Sequence, residues 1–264
     1  VDSLLQAILL GIIEGITEFL PISSTGHLLI AQHWLERRSD LFNIAIQAGA
    51  IIAVTLVYRQ RLWQLASQWR SDRDTRDWLF KLITAFFITG VLGLIVKKLG
   101  VELPENVAPV AWALIIGGGV IFAVEAWVKR QPVVENVTWT VAIAVGVAQI
   151  IAGVFPGTSR SAAAIFAALL FGLTHRARAA EFAFIVGIPT MFAASGYELA
   201  KTLMSDSASV NESWLELGVA CGVSALVGFA AVKWLLRYIS GHSFEWFGVY
   251  RIVLGIGLLA FVTD

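Results

Sequence analysis

Charge is scarce in this chain of 264 residues: 14% of its side chains are Asp, Glu, Lys or Arg, where a soluble domain carries about 25%. The charge present has no surplus sign, 19 Lys and Arg against 19 Asp and Glu, so the basic patch of a nucleic-acid binder is missing and no nucleic-acid partner is expected. Cysteine is nearly absent. The one thiol, Cys221, lies in an apolar run, which excludes a disulfide framework, a CxxC redox pair and a cysteine zinc site. A cleavable leader is not expected either, because Val1-Asp2-Ser3 offers no positive n-region and the first apolar run contains Glu14 and Glu18. What fills the chain instead is apolar: 58% of residues are hydrophobic and mean hydropathy is +0.77. These features describe a polytopic membrane protein, and its ten tryptophans suit interfacial belts.

A helix needs about 20 apolar residues to cross the hydrocarbon core. Six stretches meet that length within a few residues at each edge: 41–58, 79–99, 108–128, 179–199, 215–236 and 247–262. Two further apolar regions, 4–35 and 139–173, are each broken in the middle by a Pro-bearing, Ser-rich segment, Pro21-Ile22-Ser23-Ser24-Thr25-Gly26 and Pro156-Gly157-Thr158-Ser159-Arg160-Ser161. Non-helical backbone survives at membrane depth only when it is buried in protein or lines a cavity, so both regions read as re-entrant helical hairpins with polar tips inside the membrane. The loop 59–78 reads as a short interfacial amphipathic piece, and 201–214 as a polar outer loop.

The two hairpins resemble each other at a constant offset of 135 residues: Gly11 and Glu14 align with Gly146 and Gln149, Pro21 with Pro156, Ser23 with Thr158, Ser24 with Ser159. That spacing suggests an internal duplication within one membrane domain, 1–264, with repeats of about 1–130 and 136–264. Loop charge supplies orientation. The stretch 59–81 carries five arginines and Lys81 and is assigned to the cytoplasm; threading outward gathers twelve basic residues on that side and five on the other. Both termini then lie outside, the first hairpin enters from outside and the second from the cytoplasm. The expected fold is all-α, six transmembrane helices plus two re-entrant hairpins in an inverted-topology repeat, with the tips meeting near the midplane.

Ionisable side chains within such a membrane domain point to function. Glu14 and Glu18, at i and i+4, share a helical face about 6 Å apart along the axis, and two carboxylates that close repel unless a cation or proton lies between them. Ser23, Ser24, Thr25 and Gly26 precede a new helix; a serine there is an N-cap, and the free N–H groups of the first turn also form an anion site. His27 follows Ser24 by three positions and is a candidate acid or base. On the second tip, Gly157, Ser159, Arg160 and Ser161 add close backbone approach, capping hydroxyls and a guanidinium, a phosphate receptor in which Arg160 also has Glu14 or Glu18 as a partner across the hairpins. Gln47, Glu125, Glu181, Glu198 and Arg251 are weaker candidates, most of them equally well read as snorkelling at an interface. Gly117-Gly118-Gly119 and Gly255-x-Gly257 read as helix-packing positions.

The run from Glu14 through Glu18, Pro21, Ser23, Ser24, Thr25 and Gly26 to His27, together with Pro156-Gly157-Thr158-Ser159-Arg160-Ser161, resembles the two signature motifs of the bacterial undecaprenyl-diphosphate phosphatases of the bacitracin-resistance type. The resemblance spans essentially the whole chain. It implies an enzyme of the bacterial inner membrane that hydrolyses undecaprenyl diphosphate to the monophosphate and inorganic phosphate, recycles the lipid carrier for peptidoglycan synthesis, depends on Mg²⁺ or Ca²⁺, and opens its site toward the periplasm. By the same likeness Glu14 and Glu18 are the acidic, metal-binding pair, Ser24 and His27 the candidate nucleophile and base, and Arg160 the phosphate ligand. The expected partners are a polyprenyl diphosphate and the bilayer, with a homodimer kept open. One departure stands out: the family's Ser-Arg-Ser-Gly-x-Thr becomes Ser159-Arg160-Ser161-Ala162-Ala163-Ala164, with no hydroxyl at 164. The competing reading is a transporter or flippase for a lipid phosphate or small anion, since inverted repeats with broken helices also build transporters.

Overall fold

The computed structural model describes residues 3–35, 37–100, 107–204 and 213–261, apart from the side chains of His33 and Leu203. Eleven helices and no strand are found among them: α1 (Ser3–Thr17), α2 (Ser24–Trp34), α3 (Asp40–Val57), α4 (Arg59–Gln68), α5 (Arg73–Lys98), α6 (Val107–Val128), α7 (Trp139–Val154), α8 (Arg160–Leu170), α9 (Arg176–Met204), α10 (Trp214–Ile239) and α11 (Glu245–Phe261). The helices begin where short polar side chains take up free N–H groups. Ser39 accepts from Phe42 N, Asp72 from Thr75 N and Thr138 from Val141 N. The Thr75 hydroxyl and amide together hold the Asp72 carboxylate, which lies ahead of α5, below the usual carboxylate range.

Five helices are long and apolar enough to cross a membrane: α3, α5, α6, α9 over Arg176–Thr202, and α10. The sixth expected span, 247–262, falls on α11, whose described part is 17 residues, and position 262 lies outside the described residues. Each broken region forms two short helices, α1 with α2 and α7 with α8. The expected interfacial piece at 59–78 is α4 followed by the first turns of α5, while most of the expected outer loop at 201–214 lies outside the described residues.

Small residues set the helix crossings. A side chain at Gly11 would meet the Ala220 carbonyl at 2.7 Å and one at Gly49 would meet the Cys221 carbonyl at 2.2 Å, so α1 and α3 both lie close against α10. Gly146 brings α7 onto α5 in the same way, and Gly118 and Gly255 bring α6 and α11 together, the packing role expected for them. Gly119 and Gly257 face open space instead. α3 also packs on α9, and α8 is held between α7 and α9. Trp34, Trp139, Trp214 and Trp246 are exposed and stand at helix ends, as interfacial tryptophans do.

Several residues read from sequence as interfacial are embedded. Glu125 is fully buried: Arg176 grips both its oxygens, with Nη2–Oε2 at 2.5 Å, and Phe244 N donates to it at 2.8 Å, tying the ends of α6, α9 and α11. Gln47 accepts from Ser195 at 2.6 Å, joining α3 to α9. Glu181 pairs with Arg178 at 2.9 Å and Arg61 at 3.4 Å, and only Glu198 remains exposed. Arg251 departs furthest from snorkelling, as its surroundings show.

Candidate active site

Each tip turns on a serine in the left-handed region. Ser23 (φ 74°) and Ser159 (φ 71°) are the only non-glycine residues with positive φ among those described. Such a conformation costs on the order of 1–3 kcal/mol for a side chain with a Cβ and persists only when its neighbours hold it, which makes both turns candidates for function. Both serines cap the following helix, Ser23 Oγ accepting from Gly26 N and Ser159 Oγ from Ala162 N, each at 3.3 Å. The caps therefore match at an offset of 136, one more than the sequence alignment, because the second tip has one extra residue between its proline and its cap.

α6 seats both tips. A side chain on Gly26 would reach Val110 Cγ1 at 3.3 Å, and one on Gly157 (φ +91°) would meet the Val110 carbonyl at 2.8 Å, so glycine is required at 157 on two counts. Arg251 then stitches the tips together. It is fully buried on α11, and its five donors go to five backbone carbonyls: Nη1 to Pro21 (3.2 Å) and Thr158 (3.0 Å), Nη2 to Gly157 (3.0 Å) and Ala113 (3.1 Å), Nε to Leu114 (3.4 Å). Gly117 makes room for it, since a Cβ there would lie 2.2 Å from Nη2. Ser161 adds a second stitch: its hydroxyl donates to Leu20 O at 3.2 Å, which leaves it to accept from Ser159 Oγ at 3.0 Å.

Across this frame the chemical groups converge on Glu18. One of its oxygens accepts from Ser24 Oγ at 2.5 Å, and the other takes Arg160 Nη2 at 2.9 Å. Of the two expected carboxylate partners for Arg160, it is Glu18 that makes the pair. Glu14 lies one turn back along α1, 2% exposed, and its Oε2 is buried with no hydrogen-bond partner among the described residues. An anionic oxygen left in that state is costly unless a cation meets it. Its counterpart Gln149 is neutral and satisfied, donating to Thr89 and accepting from Thr190.

His27 does not pair with Ser24. Its Nδ1 lies 2.7 Å from Ser23 O and its Nε2 2.7 Å from the Tyr250 hydroxyl. A carbonyl only accepts, so Nδ1 carries the proton; in the neutral imidazole Nε2 then accepts from Tyr250. Thr25 is exposed, Gly26 and Gly157 are buried at the turns, and Ser161 directs its hydroxyl to Leu20 O. Ala164 is buried in the apolar core. Arg251, read from sequence only as one of the weaker candidates, and Tyr250, which no sequence pattern singled out, both belong to this frame. An arginine inside the apolar run 247–262 was the signal for the first; no pattern marks the second.

The bacitracin resistance protein BacA family matches residues 7–257. Among curated relatives, an undecaprenyl-diphosphatase of Rhizobium etli (strain CIAT 652) is 60% identical over 261 residues, 98% of this chain and 97% of its own. Undecaprenyl-diphosphatases of Xylella fastidiosa (strain 9a5c) and Xanthomonas oryzae pv. oryzae (strain PXO99A) are 58% and 57% identical, each over 98% of this chain and at least 97% of their own.

Proposed function

The chain belongs to the bacitracin resistance protein BacA family, and from that premise we propose how its tips carry out the reaction of an undecaprenyl-diphosphatase. It is a multi-pass membrane hydrolase that converts undecaprenyl diphosphate and water to undecaprenyl phosphate and inorganic phosphate, returning the lipid carrier to cell-wall synthesis and conferring bacitracin resistance. The observation that carries the mechanism is the bridge at Glu18, which joins Ser24 of one tip to Arg160 of the other.

The leaving group is a phosphate ester, so the reaction needs charge neutralisation and in-line positioning more than a strong acid. Arg160 and the N–H groups opening α2 and α8 bind the phosphoryl oxygens. Ser24 Oγ attacks the terminal phosphorus and passes its proton to Glu18 Oε2, the acceptor it already faces. The P–O bond to the lipid-linked phosphate breaks with its electron pair leaving on that phosphate. Water then attacks the phosphoserine phosphorus, the P–Oγ bond breaks, Ser24 Oγ takes back the proton held on Glu18, and inorganic phosphate leaves. The buried, unpartnered Glu14 Oε2 suits a divalent cation, Mg²⁺ or Ca²⁺, held by Glu14, with Glu18 beside it. When bound, that ion supplies neutralisation of diphosphate charge.

In this reading α1–α2 and α7–α8 are re-entrant hairpins and the halves form an inverted repeat. The packing supports it: α1 lies on α10 as α7 lies on α5, and α3 with α9 and α6 with α11 pair element with counterpart. Ser3 and Arg38 both reach Glu216, gathering the starts of α1, α3 and α10, which loop charge assigns to the periplasmic side; Lys81 Nζ reaches Val137 O, joining α5 to the start of α7, assigned to the cytoplasmic side. The site opens toward the periplasm.

The test is inorganic phosphate release from a polyprenyl diphosphate by purified protein in detergent, where transport has no meaning. Release that EDTA stops and divalent metal restores is expected. No release from folded protein supplied with divalent metal would bring the transporter reading forward.

A further inference from the structure

Tyr250 stands outside both motifs, on α11 beside Arg251, half-exposed at 44%. Its ring lies parallel to that of His27 within 3°, centroids 5.6 Å apart, with the hydroxyl 2.7 Å from Nε2. The imidazole is thus held from two ends, by Tyr250 at Nε2 and by Ser23 O at Nδ1, and neither end is Ser24. Ser23 is the residue that must be held, because its left-handed backbone sets the turn that presents Ser24 and the first N–H groups of α2. Its own cap bond is long, 3.3 Å to Gly26 N, whereas the bond from His27 Nδ1 is 2.7 Å.

We propose that Tyr250 is a positioning residue for the phosphatase reaction, acting through His27: its hydroxyl fixes the neutral imidazole, which braces Ser23 O and so keeps Ser24 on Glu18. In this arrangement His27 is a strut and not the base that deprotonates Ser24. α11 then supports the first tip at two successive residues, Arg251 through Pro21 O directly and Tyr250 through His27. The inference rests on the phosphatase reading with Ser24 in the site.

The experiment compares phosphate release by the wild type, Tyr250→Phe, His27→Asn and the double variant, with melting temperatures measured alongside. An Asn amide occupies the place of Nδ1–H and keeps a donor for Ser23 O, but does not extend to Tyr250. Tyr250→Phe is expected to lower kcat roughly threefold to tenfold, the weight of one neutral hydrogen bond, with KM and melting temperature nearly unchanged. His27→Asn should keep measurable turnover, and adding Tyr250→Phe to it should cost nothing more. Wild-type kcat in Tyr250→Phe, an undiminished further loss in the double variant, or a dead but folded His27→Asn would each overturn the proposal. A wild type that releases no phosphate removes the phosphatase reading and this proposal with it, so the two failures are told apart.

Discussion

Glu18 is occupied on both oxygens, by a neutral hydroxyl donor and by a guanidinium, and the two partners come from different halves of the chain. In the proposed mechanism a carboxylate in that position is proton acceptor for one neighbour and anchor for the other. Glu18→Gln removes the acceptor while keeping the shape, so kcat should fall about 10²–10⁴-fold, read as phosphate release. Ser24→Ala tests the nucleophile at the next atom. In radiolabelled diphosphate, acid-quenched wild-type enzyme should retain label on serine and the alanine variant should retain none; label-free wild type in the steady state with rapid turnover would favour direct attack by water. Glu14→Gln replaces the orphaned carboxylate with a neutral amide and should raise the divalent-metal concentration needed for half-maximal rate at least tenfold, measured by metal titration. Most of these residues were legible in sequence because ionisable groups within a membrane domain are costly and therefore sparse. The i,i+3 spacing of Ser24 and His27 suggested a shared face, but the imidazole instead finds the carbonyl one turn back, Ser23 O, and turns its other nitrogen to α11.

At the scale of elements, proline, glycine and serine clustered together announced both breaks, since the cluster disfavours a continuous helix and buried backbone must then find other partners. The register of the second tip was not legible. The cap falls on Ser159 rather than Thr158 because backbone conformation decides which hydroxyl faces the free N–H groups. Nor was it legible that one arginine would supply the partners for three carbonyls at the breaks and two on α6; a cation in a late apolar helix reads as snorkelling until its burial is known. The consequence is testable at a residue that touches no substrate. Gly117→Ala places a methyl group where Arg251 Nη2 lies, so the guanidinium must move and both tips lose carbonyl partners. Overpacking of that kind costs about 1–3 kcal/mol, and a lowered melting temperature with reduced turnover should accompany it, whereas Gly119→Ala, with open space around it, should leave both unchanged.

The whole molecule divides its polar ties between two faces and its chemistry between two halves. Arg38 and Ser3 with Glu216 close one face; Glu125 with Arg176, and Lys129 with Glu245 at 2.7 Å, close the other. Positive-inside counting assigns Arg38 to the outer side and Lys129 and Arg176 to the cytoplasmic side, an assignment that rests on loop charge and needs no side-chain geometry. A cysteine introduced at Asp74 should therefore react with an impermeant maleimide only from the cytoplasmic side, and one at Arg37 only from the periplasmic side; the opposite pattern would invert the topology and with it the periplasmic opening.

The proposed chemistry requires the two tips to act as one site, and Arg160 is the group that reaches Glu18 across them. The most direct measurement is phosphate release from a polyprenyl diphosphate by purified, folded Arg160→Ala in detergent with saturating divalent metal. Removal of the guanidinium should lower kcat/KM by at least a hundredfold while the melting temperature stays close to wild type. Near-normal turnover by that variant would contradict the shared site, leaving the second tip without a part in the chemistry.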